Sequence, residues 1–190
     1  MAPMPVQNTD AEQRYEAVFD RHHEQIYAYF KRRVDPTSAR DCTAETFLVA
    51  WRRIDDVPDD EATLPWLYRV AGNVLRNERR SRRRASRLTD RIGGIGRESA
   101  PSPEVIVVRR EEDEHLLRAL ESLRPADREI LLLAVWEELP FSEIAVVLGC
   151  NAHAASQRLY RATRRLGEQF ERESRSPAGR GRSTREKEAT

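Results

Sequence analysis

Between Ala152 and Leu166 the chain carries four arginines and no aspartate or glutamate. At helical spacing Ala155, Leu159, Ala162 and Leu166 share one face, which turns His153, Ser156, Gln157, Tyr160, Arg161 and Arg164 outward. Guanidinium groups suit guanine edges or phosphates, an amide suits adenine, and hydroxyls suit either, so this face has the chemistry that a DNA major groove asks for. Immediately upstream, "FSEIAVVLG" places Ile144, Ala145 and Leu148 on one side of a short helix that Gly149 can end. Asn151 is a suitable cap for the helix that follows. A short helix, a glycine-containing turn and a second helix make a helix-turn-helix. The plain alternative is a solvated arginine face, but solvated helices usually mix the two signs of charge, and this one does not.

Other chemistries find little support. His22, His23, His115 and His153 are scattered, with no His-Glu-x-x-His pair, no Cys-His ligand spacing and no phosphate-binding glycine loop. The expectation is therefore no enzyme activity, no metal and no cofactor. Cys42 and Cys150 lack a Cys-x-x-Cys partner, which fits a reducing compartment. The start of the chain lacks the basic and apolar segments of a secretory signal, and no apolar run approaches the roughly 20 residues of a membrane span. A cytoplasmic protein without membrane insertion is expected.

The elements that must position the arginine face are helical, and the expected fold is all-α, with two small helical domains joined by a flexible linker and the C-terminal one a helix-turn-helix. The 190 residues, 39% hydrophobic and 34% charged, suit one ordinary domain or two small ones. Tyr15, Val18, Phe19, His22, Ile26, Tyr29 and Phe30 recur on one face of a first helix. Pro36 disfavours helix at Asp35, and Thr37 and Ser38 suit a cap. A second helix is expected to bury Ala44, Phe47, Leu48, Trp51 and Ile54. A third begins near Leu64 and Pro65 and buries Leu67, Val70, Ala71 and Val74. These three form a bundle over residues 13–84 after a disordered start at 1–12. Periodicity is then lost over 85–112, where "GGIG" and "SAPSP" suggest a linker. A second unit spans 113–170, with Leu116, Leu117, Leu120 and Leu123 on one face, followed by "REILLLAVW", apolar on nearly every side and so expected to be central and buried. The polar segment 171–190 is expected to be disordered.

A formal net charge of +1 conceals strong segregation. Residues 76–91 hold eight arginines against Glu78 and Asp90, whereas 98–121 hold seven acidic residues against three basic ones. The region 41–61 is acidic too, with Asp41, Glu45, Asp55, Asp56, Asp59, Asp60 and Glu61 against Arg52 and Arg53. Segregation of this kind suggests a polyanion for the basic parts and a different partner for the acidic ones.

The segment "RPADREILLLAVWEELPFSEIAVVLGCNAHAASQRLYRATRRL" closely resembles the promoter-binding C-terminal domain of extracytoplasmic-function (ECF) sigma factors of bacterial RNA polymerase. "YEAVFDRHHEQIYAYFKRRV", "DCTAETFLVAWRRIDDVP" and "LPWLYRVAGNVLRNERRSRRR" resemble that family's N-terminal domain in the same order, so the likeness covers about residues 13–170. It implies that the second helix docks on the clamp of the polymerase largest subunit through Asp41, Glu45, Thr46, Phe47 and Trp51. Phe47 and Trp51 equally suit the inward face of that helix. The third helix resembles the element that opens and reads the minus-10 region, through Trp66, Arg69, Asn73, Arg76, Asn77 and Arg80. An aromatic platform with amides and arginines is a combination that holds single-stranded DNA, although Trp66 also fits a core position. The acidic loop "DDEAT" matches the place where the family captures a flipped-out base.

By the same resemblance the last helix reads the minus-35 element through His153, Ser156, Gln157, Arg158, Tyr160, Arg161 and Arg164. Arg158, Leu159, Arg161 and Ala162 keep the family's pattern, while Ser156 replaces its usual basic residue and Gln157 its usual serine. The target sequence is therefore expected to differ from that of common members. The implied partners are core RNA polymerase, promoter DNA and an anti-sigma factor. A free-standing helix-turn-helix regulator is the competing reading; it accounts for residues 113–170 and leaves the first three helices without a role.

Overall fold

A computed structural model describes the backbone of residues 9–91 and 111–175 and the side chains of 10–85 and 114–175. The described residues are helical, without strands. Helices α1 (Thr9–Lys31), α2 (Pro36–Arg52) and α3 (Thr63–Arg91) belong to one compact unit; α4 (Glu111–Ser122), α5 (Pro125–Val135) and α7 (Ala152–Arg175) belong to another, and α6 (Phe141–Leu148) leads into α7. Single turns of 3-10 helix at Ile54–Asp56 and Asp60–Ala62 join α2 to α3.

In the first unit α1 packs on α2 and α3, and α2 packs on α3. The expected stripe on α1 closes this core, with His22, Ile26, Tyr29 and Phe30 buried and Tyr15, Val18 and Phe19 half-buried. The Tyr29 ring meets Phe30 edge-on at 5.2 Å and Tyr68 at 5.4 Å. Arg33 is buried as well; its guanidinium lies 3.6 Å from the centre of the Tyr29 ring and donates to the Tyr29 carbonyl at 2.9 Å.

Helix α2 departs from expectation in its inward face. Phe47 and Ile54 are buried, but Ala44, Leu48 and Trp51 are exposed, and the interior is lined instead by Ala39, Cys42, Thr43, Thr46 and Ala50. The two threonines are tolerated inside because their hydroxyls donate to carbonyls one turn back, Thr43 to Ala39 at 2.7 Å and Thr46 to Cys42 at 2.8 Å. A pattern that counts threonine as polar rotates the helix the wrong way. The cap also differs. Asp35, not Thr37 or Ser38, accepts from the Ser38 amide at 3.0 Å, and Pro36 occupies the first turn, where its missing N–H costs nothing.

Helix α3 buries Leu67, Tyr68, Val70, Ala71 and Leu75 and leaves Val74 half-buried. It does not stop where apolar periodicity stops, but continues to Arg91. Arginine is a good helix former, and no glycine or proline intervenes before Gly93. Arg82 ties this extension back to the bundle: it pairs with Glu78 at 2.6 Å and also reaches the Asp35 carboxylate and the Ser38 hydroxyl on α2. Of the linker expected over 85–112, residues 92–110 lie outside the described residues.

In the second unit α7 packs on α4 and α5. Ala119, Leu123, Ile130, Leu133, Ala155 and Ala162 form its core; Leu117 and Leu120 are half-buried and Leu116 is exposed. Arg165 pairs at 2.7 Å with Asp127, a carboxylate well placed in the first turn of α5. Arg128 donates to the carbonyl of Leu120 at 2.8 Å and to that of Glu121, satisfying the end of α4. Helix α5 is not buried all round, since Val135 and the following Trp136 are exposed. Helix α7 runs five residues beyond the expected end at 170, with Arg175 paired to Glu171 at 3.1 Å. The expected disordered start at 1–12 contains the first turn of α1; residues 1–8 and 176–190 lie outside the described residues.

Candidate nucleic-acid interface

The turn before α7 is built as its residues demand. Gly149 adopts φ +64°, a left-handed conformation that glycine reaches without a steric penalty. The Asn151 side chain accepts from the Ala154 amide at 2.8 Å and so caps the helix. Ala155 and Ala162 are fully buried and Leu159 and Leu166 half-buried, which fixes the rotation of the helix. His153, Gln157, Arg158, Tyr160, Arg161 and Arg164 are then exposed, Tyr160 at 68%, and Ser156 is half-buried. Arg161 lies along its own helix, with Nε donating to the Gln157 carbonyl at 3.2 Å. Arg164 holds Glu168 at 3.4 Å in an exposed pair. Such pairs are weak and readily exchanged for a phosphate.

A second candidate surface runs along α3. Arg69, Asn73, Arg76, Asn77 and Arg80 are exposed, and Trp66 is half-buried at the N-terminal end of the row. From Trp66 to Arg80 the row spans about 21 Å at 1.5 Å per residue. Arg76 donates to the Asn73 side-chain oxygen, and Arg53 at the end of α2 brings its guanidinium to 5.8 Å from the centre of the Trp66 ring. Arg82, bound to three groups within the bundle, is not part of this row, so not every arginine of the cluster is available to a polyanion.

The third surface is the outward side of α2. Asp41, Ala44, Glu45, Leu48 and Trp51 form an exposed stripe, with Leu48 at 39% and Trp51 at 40% exposure. Trp51 also meets Tyr15 edge-on at 5.2 Å, which orients its ring. The remaining two residues of the expected set lie inside: Thr46 is fully enclosed, and Phe47 is buried with its ring edge-on to Phe19 at 4.8 Å. Thr46 and Phe47 hold α2 in place, and Asp41, Glu45 and Trp51 of that set are exposed. Sequence reasoning missed Ala44 and Leu48 because it assigned them to the core. The spacing Asp41, Ala44, Glu45, Leu48 would have shown a single face.

Electrostatics around α2 serve its position. The backbone hydrogen bond from Ser38, with Arg82 alongside, lowers the Asp35 carboxyl from its ordinary 3.8 to about 2. Burial, with a contribution from Glu78, pushes the Cys42 thiol up to about 11, so it stays protonated and inert. Among the described residues no group of three or more His, Cys, Asp or Glu side chains is placed to hold a metal ion, and no helix is long and apolar enough to cross a membrane.

Residues 18–85 match the model of Sigma-70 region 2, and residues 113–166 match that of Sigma-70 region 4. The chain is 32% identical over 139 residues to the RNA polymerase sigma factor NccH of Alcaligenes xylosoxydans xylosoxydans, covering 70% of this chain and 73% of that protein. It is 28% identical over 151 residues to the ECF RNA polymerase sigma-E factor of Salmonella typhimurium, covering 75% and 78%. Among solved structures, the sigma factor RpoE bound to the anti-sigma factor NepR from Bartonella quintana shares the fold, with a TM-score of 0.59 and 22% identity over 85% of this chain and 97% of that one.

Proposed function

This chain belongs to the ECF group of the sigma-70 family of RNA polymerase sigma factors, and from that membership we propose that its exposed faces divide promoter recognition among α2, α3 and α7. It is an alternative sigma factor that directs transcription initiation. Bond-making in initiation belongs to the polymerase, and the sigma factor supplies binding and specificity.

In this reading the first domain comprises α1–α3 and the second α4–α7, joined through the residues between Arg91 and Glu111. Asp41, Glu45 and Trp51, with Ala44 and Leu48, dock on core polymerase. An acidic, partly apolar stripe suits a protein partner, because a DNA backbone would repel its carboxylates. Trp66, Arg69, Asn73, Arg76, Asn77 and Arg80 engage the opened minus-10 strand by stacking, amide hydrogen bonds and phosphate contacts. The acidic loop before α3 receives a flipped-out base. His153, Ser156, Gln157, Arg158, Tyr160, Arg161 and Arg164 read the duplex minus-35 element. An anti-sigma factor would silence the protein by covering the same α2 stripe, and the working compartment is the cytoplasm.

The observation that carries this reading is the pair of exposed faces of opposite chemistry on successive helices of one unit: acidic and apolar on α2, basic and amide-bearing on α3. A free-standing regulator has no use for the first of them. Run-off transcription on genomic promoter fragments, with the protein alone, core alone and both, tests it. Transcripts from defined starts only when both are present are expected. A folded protein that binds duplex DNA but never core would overturn the α2 assignment.

A further inference from the structure

We propose that Arg14 is a positioning residue for promoter opening, fixing from α1 the loop that receives a minus-10 base. The inference rests on the reading that the acidic loop before α3 takes that base. Arg14 stands more than forty residues upstream of the loop, yet its guanidinium donates both to the Val57 carbonyl and to the Asp59 carboxylate, the latter at 2.7 Å. The Thr63 hydroxyl, at the start of α3, donates to the Pro58 carbonyl at 2.7 Å. Ile54 and Val57 are buried as apolar feet, and Arg53 holds Asp56 at 3.0 Å.

The loop thus has an anchored half, residues 54–58, and an exposed half, Asp59–Ala62, in which no side chain is buried. Arg14 acts at the junction. An ion pair this exposed, with Asp59 81% accessible, contributes little to global stability, and the buried feet anchor the loop without it. Its effect is local. It aims the Asp59 carboxylate, cancels one negative charge beside an incoming DNA strand, and orders the loop before DNA arrives, so that less freedom is lost on binding.

The test uses holoenzyme, core polymerase with the full chain, and fork-junction DNA from a promoter mapped by run-off transcription. Each unpaired minus-10 position is varied through all four bases. Wild-type holoenzyme is expected to discriminate at several positions. Arg14→Ala is expected to flatten discrimination at one position by about tenfold, with core affinity, the melting temperature and preference at the other positions unchanged. Arg14→Lys, which keeps a donor, restores most of the loss. If Arg14→Ala weakens every position equally or leaves all preferences intact, the positioning role is wrong. Asp60→Ala and Glu61→Ala separate the two levels: flattening by either of them while Arg14→Ala does nothing overturns the Arg14 role alone. No effect from any of the three, on a holoenzyme that does discriminate, overturns the loop reading as well.

Discussion

Single side chains divide sharply into those that hold the fold and those that face outward, and the two kinds answer to different measurements. Phe47 and Thr46 are enclosed, so Phe47→Ala is expected to cost about 3 to 5 kcal/mol of stability, read as a lowered denaturant midpoint. Leu48→Asp changes an exposed position and is expected to leave that midpoint nearly unmoved while weakening association with core polymerase at least tenfold in a pull-down or titration. Arg161→Ala is expected to cost about 1 to 3 kcal/mol of minus-35 binding and to relax preference at one base pair, whereas Arg164→Ala lowers affinity alike for all sequences. Thiol chemistry gives an independent check on placement. Cys150 is half-exposed and Cys42 is buried with its pKa raised to about 11, so an alkylating reagent at neutral pH labels Cys150 and spares Cys42 until the protein unfolds.

The elements themselves depend on a few polar residues at their ends. Asp35 caps α2 with a carboxyl lowered from 3.8 to about 2. Its stabilising contribution is complete above pH about 4, where the unfolded chain is also ionised, and disappears as pH falls through about 2. Asp35→Ala is expected to cost about 1 kcal/mol near neutrality and to flatten the acid limb of the stability curve over that window. Asn151→Ala and Gly149→Ala, at the cap of α7 and the left-handed turn before it, should each cost about 1 kcal/mol and weaken minus-35 binding. Much of this was legible beforehand. The α1 stripe, Gly149, Asn151 and the inward alanines of α7 follow from spacing and turn chemistry. What was not legible has identifiable causes: buried threonines satisfied by their own helix reversed the reading of α2, and the arginine-rich end of α3 is helical without an apolar stripe. Arg14, Arg82 and Arg128 act across gaps in sequence that no periodicity reveals.

For the whole molecule, net charge is a poor guide to binding, because the +1 total hides surfaces of opposite sign. DNA affinity of the holoenzyme is expected to fall steeply with salt, and Arg76→Ala with Arg80→Ala should together reduce the log-log slope by up to about 2 if both neutralise phosphates. The positions available for recognition were largely readable from the sequence, since of the residues expected on α3 and α7 only Trp66 and Ser156 are even half-buried. What each one contacts was not, because that depends on DNA shape and docking outside the chain. The self-satisfied hydroxyls of Thr43 and Thr46 have a further consequence. Beside Phe47 they let α2 complete its interior with small residues, so Asp41, Ala44, Glu45 and Leu48 on the outward side can mutate without repacking. Over evolutionary time such a helix behaves as a rewritable label: descendants can change the face it presents while inheriting the same bundle beneath it.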